Sequence, residues 1–152
     1  MTTYSATIPG DPRGKGSVRV YNGHAMKDAK TAEYMTRAIL AFQAAATGWT
    51  RLDGPWWVDL RIFVDRPVRL IPKAKARTPQ PPTSAFVAPC TPDCDNVAKA
   101  VLDALVQAGV VCDDKACVSL RVRKWYVPVG GLPCVVVTLG AVGEWSLTAE
   151  DR

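Results

Sequence analysis

The nine residues from Trp56 to Val64 leave this chain few choices of architecture. Val58, Leu60, Ile62 and Val64 alternate with Asp59, Arg61 and Phe63. That is the two-residue period of a strand with one buried face. Trp56 and Trp57, at its start, suit core and edge packing better than base stacking. A strand of this length needs neighbours to pair with and an apolar layer over its buried face. The neighbours are in the sequence. Thr3 to Ile8 alternates, with Tyr4, Ala6 and Ile8 on one side. Cys117 to Val127 places Val118, Leu120 and Val122 inward and Ser119, Arg121 and Arg123 outward, with Lys124 on the inward side. Cys134 to Leu139 is a further strand, joined to the last through Pro128-Val129-Gly130-Gly131 as a predicted hairpin.

Two helical patterns supply the covering layer. From about Ala29 to Ala46, Met35, Ile39, Phe42 and Ala46 recur at helical steps, and Gly48 provides a stop. From Asn96 to Ala108, Val97, Val101 and Leu105 form an apolar stripe, with Asp95 as the expected N-cap and Gly109 as the stop. Four strands and two main helices are read within residues 1–140 with no domain boundary between them, followed by a tail, 141–152, with little pattern beyond Trp145 and Leu147. A length of 152 residues and a 48% hydrophobic content suit such a core.

The remaining segments are unusually basic. Arg13-Gly14-Lys15-Gly16-Ser17-Val18-Arg19 sets glycines beside cations, which suits close approach to phosphate. It lacks the spacing of a nucleotide-binding P-loop. His24 follows in a predicted loop without a visible partner. Between Arg66 and Pro92 the chain is rich in proline and carries Arg66, Arg69, Lys73, Lys75 and Arg77, with no acid. A long, acid-free loop of this kind suits contact with a phosphate backbone. The net charge of +5 and a pI near 9.1 point the same way, towards a polyanionic partner.

No apolar run approaches the roughly 20 residues of a membrane span, so no membrane partner is expected. No signal peptide is read at the N-terminus. The five cysteines are odd in number and lack the tight pairing of structural zinc sites, so free thiols in a reducing compartment are expected and zinc is not.

The basic loop ends on acids. Asp93 and Asp95 are one residue apart, and in an extended segment both face one side while Cys94 faces the other. Carboxylates so placed repel unless a cation lies between them, and Mg²⁺ or Mn²⁺ suits such oxygen donors. Lys99 lies one turn into the helix. It either neutralises charge on a bound phosphate or pairs with Asp95 or Asp103. Asp113-Asp114, entering the next strand, can add a third ligand.

The ordered set Asp93-Cys94-Asp95-Asn96-Val97-Ala98-Lys99, Asp103-Ala104-Leu105, Asp113-Asp114 and Lys124 closely resembles the signature of the RusA family of Holliday-junction resolvases. The likeness is specific from Asp93 to Lys124 and looser over the first strand, the Lys15-Gly16 loop and the first helix. The basic loop 66–92 resembles the variable insertion of phage and prophage members. The resemblance implies a small α+β homodimer, with a mixed sheet of about four strands on two helices. It implies binding of four-way or branched DNA, symmetric paired nicks and dependence on Mg²⁺, with Mn²⁺ as a substitute. Asp93, Asp95 and Asp114 match the family's catalytic acids and metal ligands, and Lys99 its catalytic lysine. Lys15, Arg69, Lys73, Lys75, Arg77 and Lys124 are the expected nucleic-acid contacts. A cytoplasmic location, in a bacterial cell or a phage-infected host, follows from the same resemblance. Ala116 departs from the family, which often has Gln there. Two other readings compete: a non-catalytic DNA-binding protein of the same fold, and a zinc-stabilised interaction module.

Overall fold

The computed structural model describes residues 2–15, 19–22, 24–26, 28–75 and 77–143. Its centre is β4 (Trp56–Val64), on which the alternation seen in the sequence becomes burial. Trp56, Val58, Leu60, Ile62 and Val64 are buried, and the residues between them are not. Around it, β1 (Thr3–Pro9), β7 (Cys134–Ala141), β6 (Cys117–Tyr126) and the two-residue β5 (Phe86–Val87) make a five-stranded mixed sheet in the order β1-β7-β4-β6-β5. The expected four long strands are all present, and β5 is the addition. A separate hairpin joins β2 (Arg19–Tyr21) to β3 (His24–Met26) in a region read as loop, so His24 lies on a strand.

The predicted hairpin between the last two strands does not form. β7 inserts between β1 and β4, antiparallel to both, while β6 pairs with β4 in parallel. The connection through 127–133 therefore crosses β4 rather than folding β7 back on β6. A central strand buried on one face along its whole length needs two long neighbours. Alternation alone does not say which strands they are.

Two helices cover the apolar face. On α1 (Ala29–Ala45) the buried residues are Tyr34, Ala38 and Phe42, with Met35, Ile39 and Ala46 flanking. The stripe is thus rotated by one residue from the predicted one, because alanine at 38 lets the helix sit close. The Tyr4 hydroxyl donates to the Phe42 carbonyl at 2.7 Å and ties α1 to β1. Burial pushes the phenol of Tyr4 up to about 12. α2 (Cys94–Gln107) buries Val97, Ala98, Ala100, Val101, Ala104 and Leu105. Its C-terminus closes at Gly109, whose φ of 74° is a left-handed conformation that suits glycine. Burial of each large apolar side chain in this layer is worth about 1.5–3 kcal/mol.

β6 departs from regular alternation at its start. Trp56 pairs with Cys117 but Trp57 with Ser119, so Val118 is bulged out of the ladder. Beyond the bulge, Leu120 and Val122 lie opposite Val58 and Leu60, on the helix-covered face. Leu120 is nevertheless 47% exposed and Val118 51%, because neither helix reaches the edge of the sheet there. The predicted inward set is therefore only partly buried. The predicted tail lies outside the described residues from 144 onward.

Candidate active site

The acid-rich motif sits where a loop feeds into α2. The helix begins two residues earlier than the sequence predicts, with Asp93 as N-cap and Asp95 in the first turn. Neither the expected Asp95 cap nor the expected extended spacing of the two acids is formed. Asp93 is extended, but Cys94 and Asp95 are already helical, so the run 93–95 is not the extended segment expected from the sequence. Asp93 lines a cleft of about 700 Å³, which Asp95 does not line. Asp95 instead accepts a hydrogen bond from Lys99 Nζ at 3.2 Å. That bond, chiefly, holds its carboxyl below the usual carboxylate range. Both members of this pair are well exposed, so solvent screens it and it adds little to stability.

Three contacts fix this end of α2. Lys124, inward-facing on β6, gives its ammonium to the carbonyls of Cys90 and of Pro92, the latter at 2.7 Å. The sequence puts a charge on the covered face; the structure spends it holding the turn that delivers Asp93. The Thr91–Pro92 peptide within that turn is cis. On the other side, the strap Pro12–Lys15 lies against the first turn of α2. The Lys15 amide donates to the Asn96 carbonyl at 3.0 Å, and Lys15 Nζ meets Asp103 Oδ2 at 2.5 Å. Gly14 makes the approach possible, since a Cβ there would fall 2.6 Å from that of Asn96. Lys15 and Lys124, both expected on nucleic acid, are thus already engaged within the protein. Gly16, Ser17 and Val18 of the same basic loop lie outside the described residues.

The proline-rich segment divides into two parts. Arg66 is buried, at 9% exposure, and its guanidinium donates to the carbonyls of Val127, Leu70, Pro82 and Ser84. It also lies 4.8 Å from the centre of the Phe86 ring. Grouping Arg66 with the phosphate-facing cations is therefore corrected: it clasps the two ends of the loop together. Arg69 reaches the cleft wall. Lys73, Lys75 and Arg77 are exposed and make no ion pair among the described residues.

Asp114 stands apart from the other acids. It begins a 3-10 turn, Asp114–Ala116, that leads directly into β6 at Cys117. Lys124, which touches the Asp93 turn, lies seven residues further along that strand, or about 23 Å at an extended rise. Asp113, beside it, accepts from the Lys115 amide at 3.0 Å. Its carboxyl is held low chiefly by that bond. Among the described residues, no three His, Cys, Asp or Glu side chains gather to hold a metal ion. The five cysteines are free and half-buried, and burial pushes the thiols of Cys117 and Cys134 up.

The cleft also takes in Arg13, from the basic run 13–19, and Asp11, Asp28 and Asp65, which the sequence does not mark as site residues. Asp65 carried a usable signal: it follows the last residue of the central strand, where clefts form in α/β sheets. Asp11 and Asp28 come from separate segments that only the fold brings together.

No helix among the described residues is long and apolar enough to cross a membrane. No curated protein matches the chain. The family model described as endodeoxyribonuclease RusA matches residues 9–139, from the end of β1 into β7, and so spans the strap, the clasped loop, α2 and both acidic pairs. The chain belongs to the RusA family of endodeoxyribonucleases.

Proposed function

We propose that this protein is a structure-selective nuclease that resolves four-way DNA junctions by paired, symmetric nicks, acting as a homodimer with Mg²⁺. Mn²⁺ would substitute. Its expected setting is the cytoplasm of a bacterial cell or a phage-infected host. The observation that carries the reading is the mouth of α2. There an exposed Asp93 lines the cleft with Arg13, Lys15 and Arg69, and an exposed Asp95, two residues on, pairs with Lys99. Carboxylates next to a polyanion site would oppose binding unless a cation offsets them. A protein that only bound DNA would gain nothing from them.

The donors fit a hard divalent cation in kind, since Asp93, Asp95 and Asp114 all offer oxygen. They do not fit it in place within one copy, because Asp114 lies at the far end of β6. Asp93 and Asp95 of one copy with Asp114 of a second copy would hold the ion. When bound, such an ion polarises the phosphate and activates water. The chain's own residues do the rest. Lys99 is exposed and reachable by phosphate, and its positive charge would stabilise the extra negative charge of the transition state. Arg69 and the cations of the 73–77 tip draw the DNA backbone towards the cleft.

Asp95→Asn is expected to abolish junction cleavage and to leave binding intact or tighter, since it removes negative charge next to DNA. Full cleavage by that variant in Mg²⁺ would overturn the reading. The two-copy site has its own test. Mixing Asp95→Asn and Asp114→Asn chains should rebuild one intact site per heterodimer and restore nicking of a single strand. If each inactive chain stays inactive in the mixture, the acids act within one copy.

A further inference from the structure

The sheet has one face that no described residue covers. Both helices pack on the side that buries Val58, Leu60 and Ile62. The residues between these point the other way, and the register aligns them in rows across the strands. Trp57 lies between Gly140 and Ser119, and Asp59 between Thr138 and Arg121. Arg61 lies between Val136 and Arg123, and Phe63 between Cys134 and Trp125. Exposed hydroxyls at Thr3, Ser5 and Thr7 continue the face on β1. A solvated sheet face is ordinarily polar throughout. This one carries three aromatic rings.

The rings are held in place. Trp57 packs, as its position in the sequence suggests, but on one side only. Its indole lies across β7 because Gly140 has no side chain: a Cβ there would stand 3.1 Å from the ring. Trp57 is only half-buried, so the other side of the ring stays open. Further along the strands Phe63 stacks on Trp125, with ring centres 5.6 Å apart, and Arg123 lies 5.4 Å from the Trp125 ring. Three arginines and one acid lie between the two aromatic groups. Arg123 meets Asp59 Oδ2 at 2.7 Å and Arg121 meets the same oxygen at 3.9 Å. Arg61 is exposed and makes no ion pair among the described residues. Positive charge is therefore in excess on this face.

We propose that this face binds a short unpaired strand of nucleic acid, laid along β4. One base stacks on Trp57 and another on the Phe63–Trp125 pair, while the arginines between them take the phosphates. From Trp57 to Phe63 the strand spans about 20 Å at an extended rise, which leaves room for a few nucleotides. Charge decides the occupant. Every base has a π-face and every nucleotide a negative charge, so rings alternating with guanidinium groups match such a strand twice over. An apolar partner would bury the arginines without counter-charge, which is costly. The inference goes beyond the junction reading and does not depend on it, since α2 and its acids lie on the opposite side of the sheet. The two sites adjoin at one end: Val64 and Tyr126, the residues after Phe63 and Trp125, line the cleft.

The test uses the full chain in EDTA, so that no cleavage intrudes, with a short fluorescent oligothymidylate and a base-free strand of the same length as probes. Trp57→Leu keeps an apolar cover on Gly140 and removes the π-face. It should weaken binding of the oligothymidylate at least about 5-fold by anisotropy. Phe63→Leu, at the other end, should act alike, and circular dichroism melts identify a folding failure in either. Arg61→Glu should flatten the plot of log affinity against log salt by about 0.7, for one lost phosphate contact. The base-free strand should bind the parent chain more weakly and should not distinguish it from Trp57→Leu. Equal binding of the two probes overturns the proposal. So does full oligothymidylate binding by both leucine variants, which would leave the face to a protein partner. The nuclease reading would survive either result, because it stands or falls on Asp95→Asn.

Discussion

Arg66 and the Lys73–Arg77 tip belong to one proline-rich segment and read alike in sequence, yet they do opposite work. Arg66 is buried and its planar fork is spent on four backbone carbonyls. Lys73, Lys75 and Arg77 stand in solvent, and the Lys73 amide donates to the Gln80 side-chain oxygen. A guanidinium can satisfy several carbonyls at fixed angles and tolerates burial better than an ammonium. The same positive charge is therefore structural at the base of the loop and available for phosphate at its tip. The strap and β6 repeat the lesson, since Lys15 and Lys124 are also captured from within.

The contrast can be broken in four places. Arg66→Ala carries the largest expected effect. It leaves the carbonyls without their donor and should cost about 2–4 kcal/mol in a thermal or denaturant melt. Arg66→Lys should recover only part of that. An unchanged melting temperature would show that the base of the loop is no more structural than its tip. Gly14→Ala comes next. Its Cβ would clash with Asn96 and should cost about 1–3 kcal/mol through overpacking. A neutral result would mean that the strap is not pinned to α2.

At the tip the expectation reverses. The double charge reversal Lys73→Glu with Lys75→Glu should change stability by less than about 0.5 kcal/mol. It should weaken junction binding and flatten the plot of log affinity against log salt by about 1.8 for two lost phosphate contacts. An unchanged salt slope would take the tip off the DNA.

The smallest effect concerns Asp95. Its carboxyl titrates below the ordinary range because Lys99 donates to it. The stabilisation from that pair is therefore present above the unfolded value, near 3.9, and is lost as pH falls through the depressed folded value. Lys99→Met should move the Asp95 titration up towards the ordinary carboxylate value in metal-free buffer, as followed by carboxyl NMR. No upward movement would show that Lys99 does not hold Asp95.

Much of the fold was legible because it follows from period. Tyr4, Ala6 and Ile8 are buried as their alternation requires, and so are Val58, Leu60 and Ile62. The stops at Gly48 and Gly109 fall at left-handed backbone, as expected. The order of strands was not legible. β7 and β6 have the same pattern at similar spacing, and only the pairing along the two edges of β4 decides which lies where. The start of α2 was misplaced because Asp93 and Asp95 are equally good cap residues. The loop delivered by Lys124 sets Asp93 at the helix mouth.

By itself, then, the sequence determined what kind of residues this protein brings to its site and the family to which it belongs. Period, composition and the ordered acids and lysine are properties of neighbours along the chain, and they can be read there. Tertiary structure alone decided which cations are free, where each acid stands and which face of the sheet is left open. Those depend on which distant carbonyls, acids and strands meet a given side chain, as Arg66 meets Val127 and Lys15 meets Asp103. It also decided that Asp114 lies a strand's length from Asp93. Twenty residues of sequence between two aspartates carry no distance until the helix between them and the strand that follows are laid against one another.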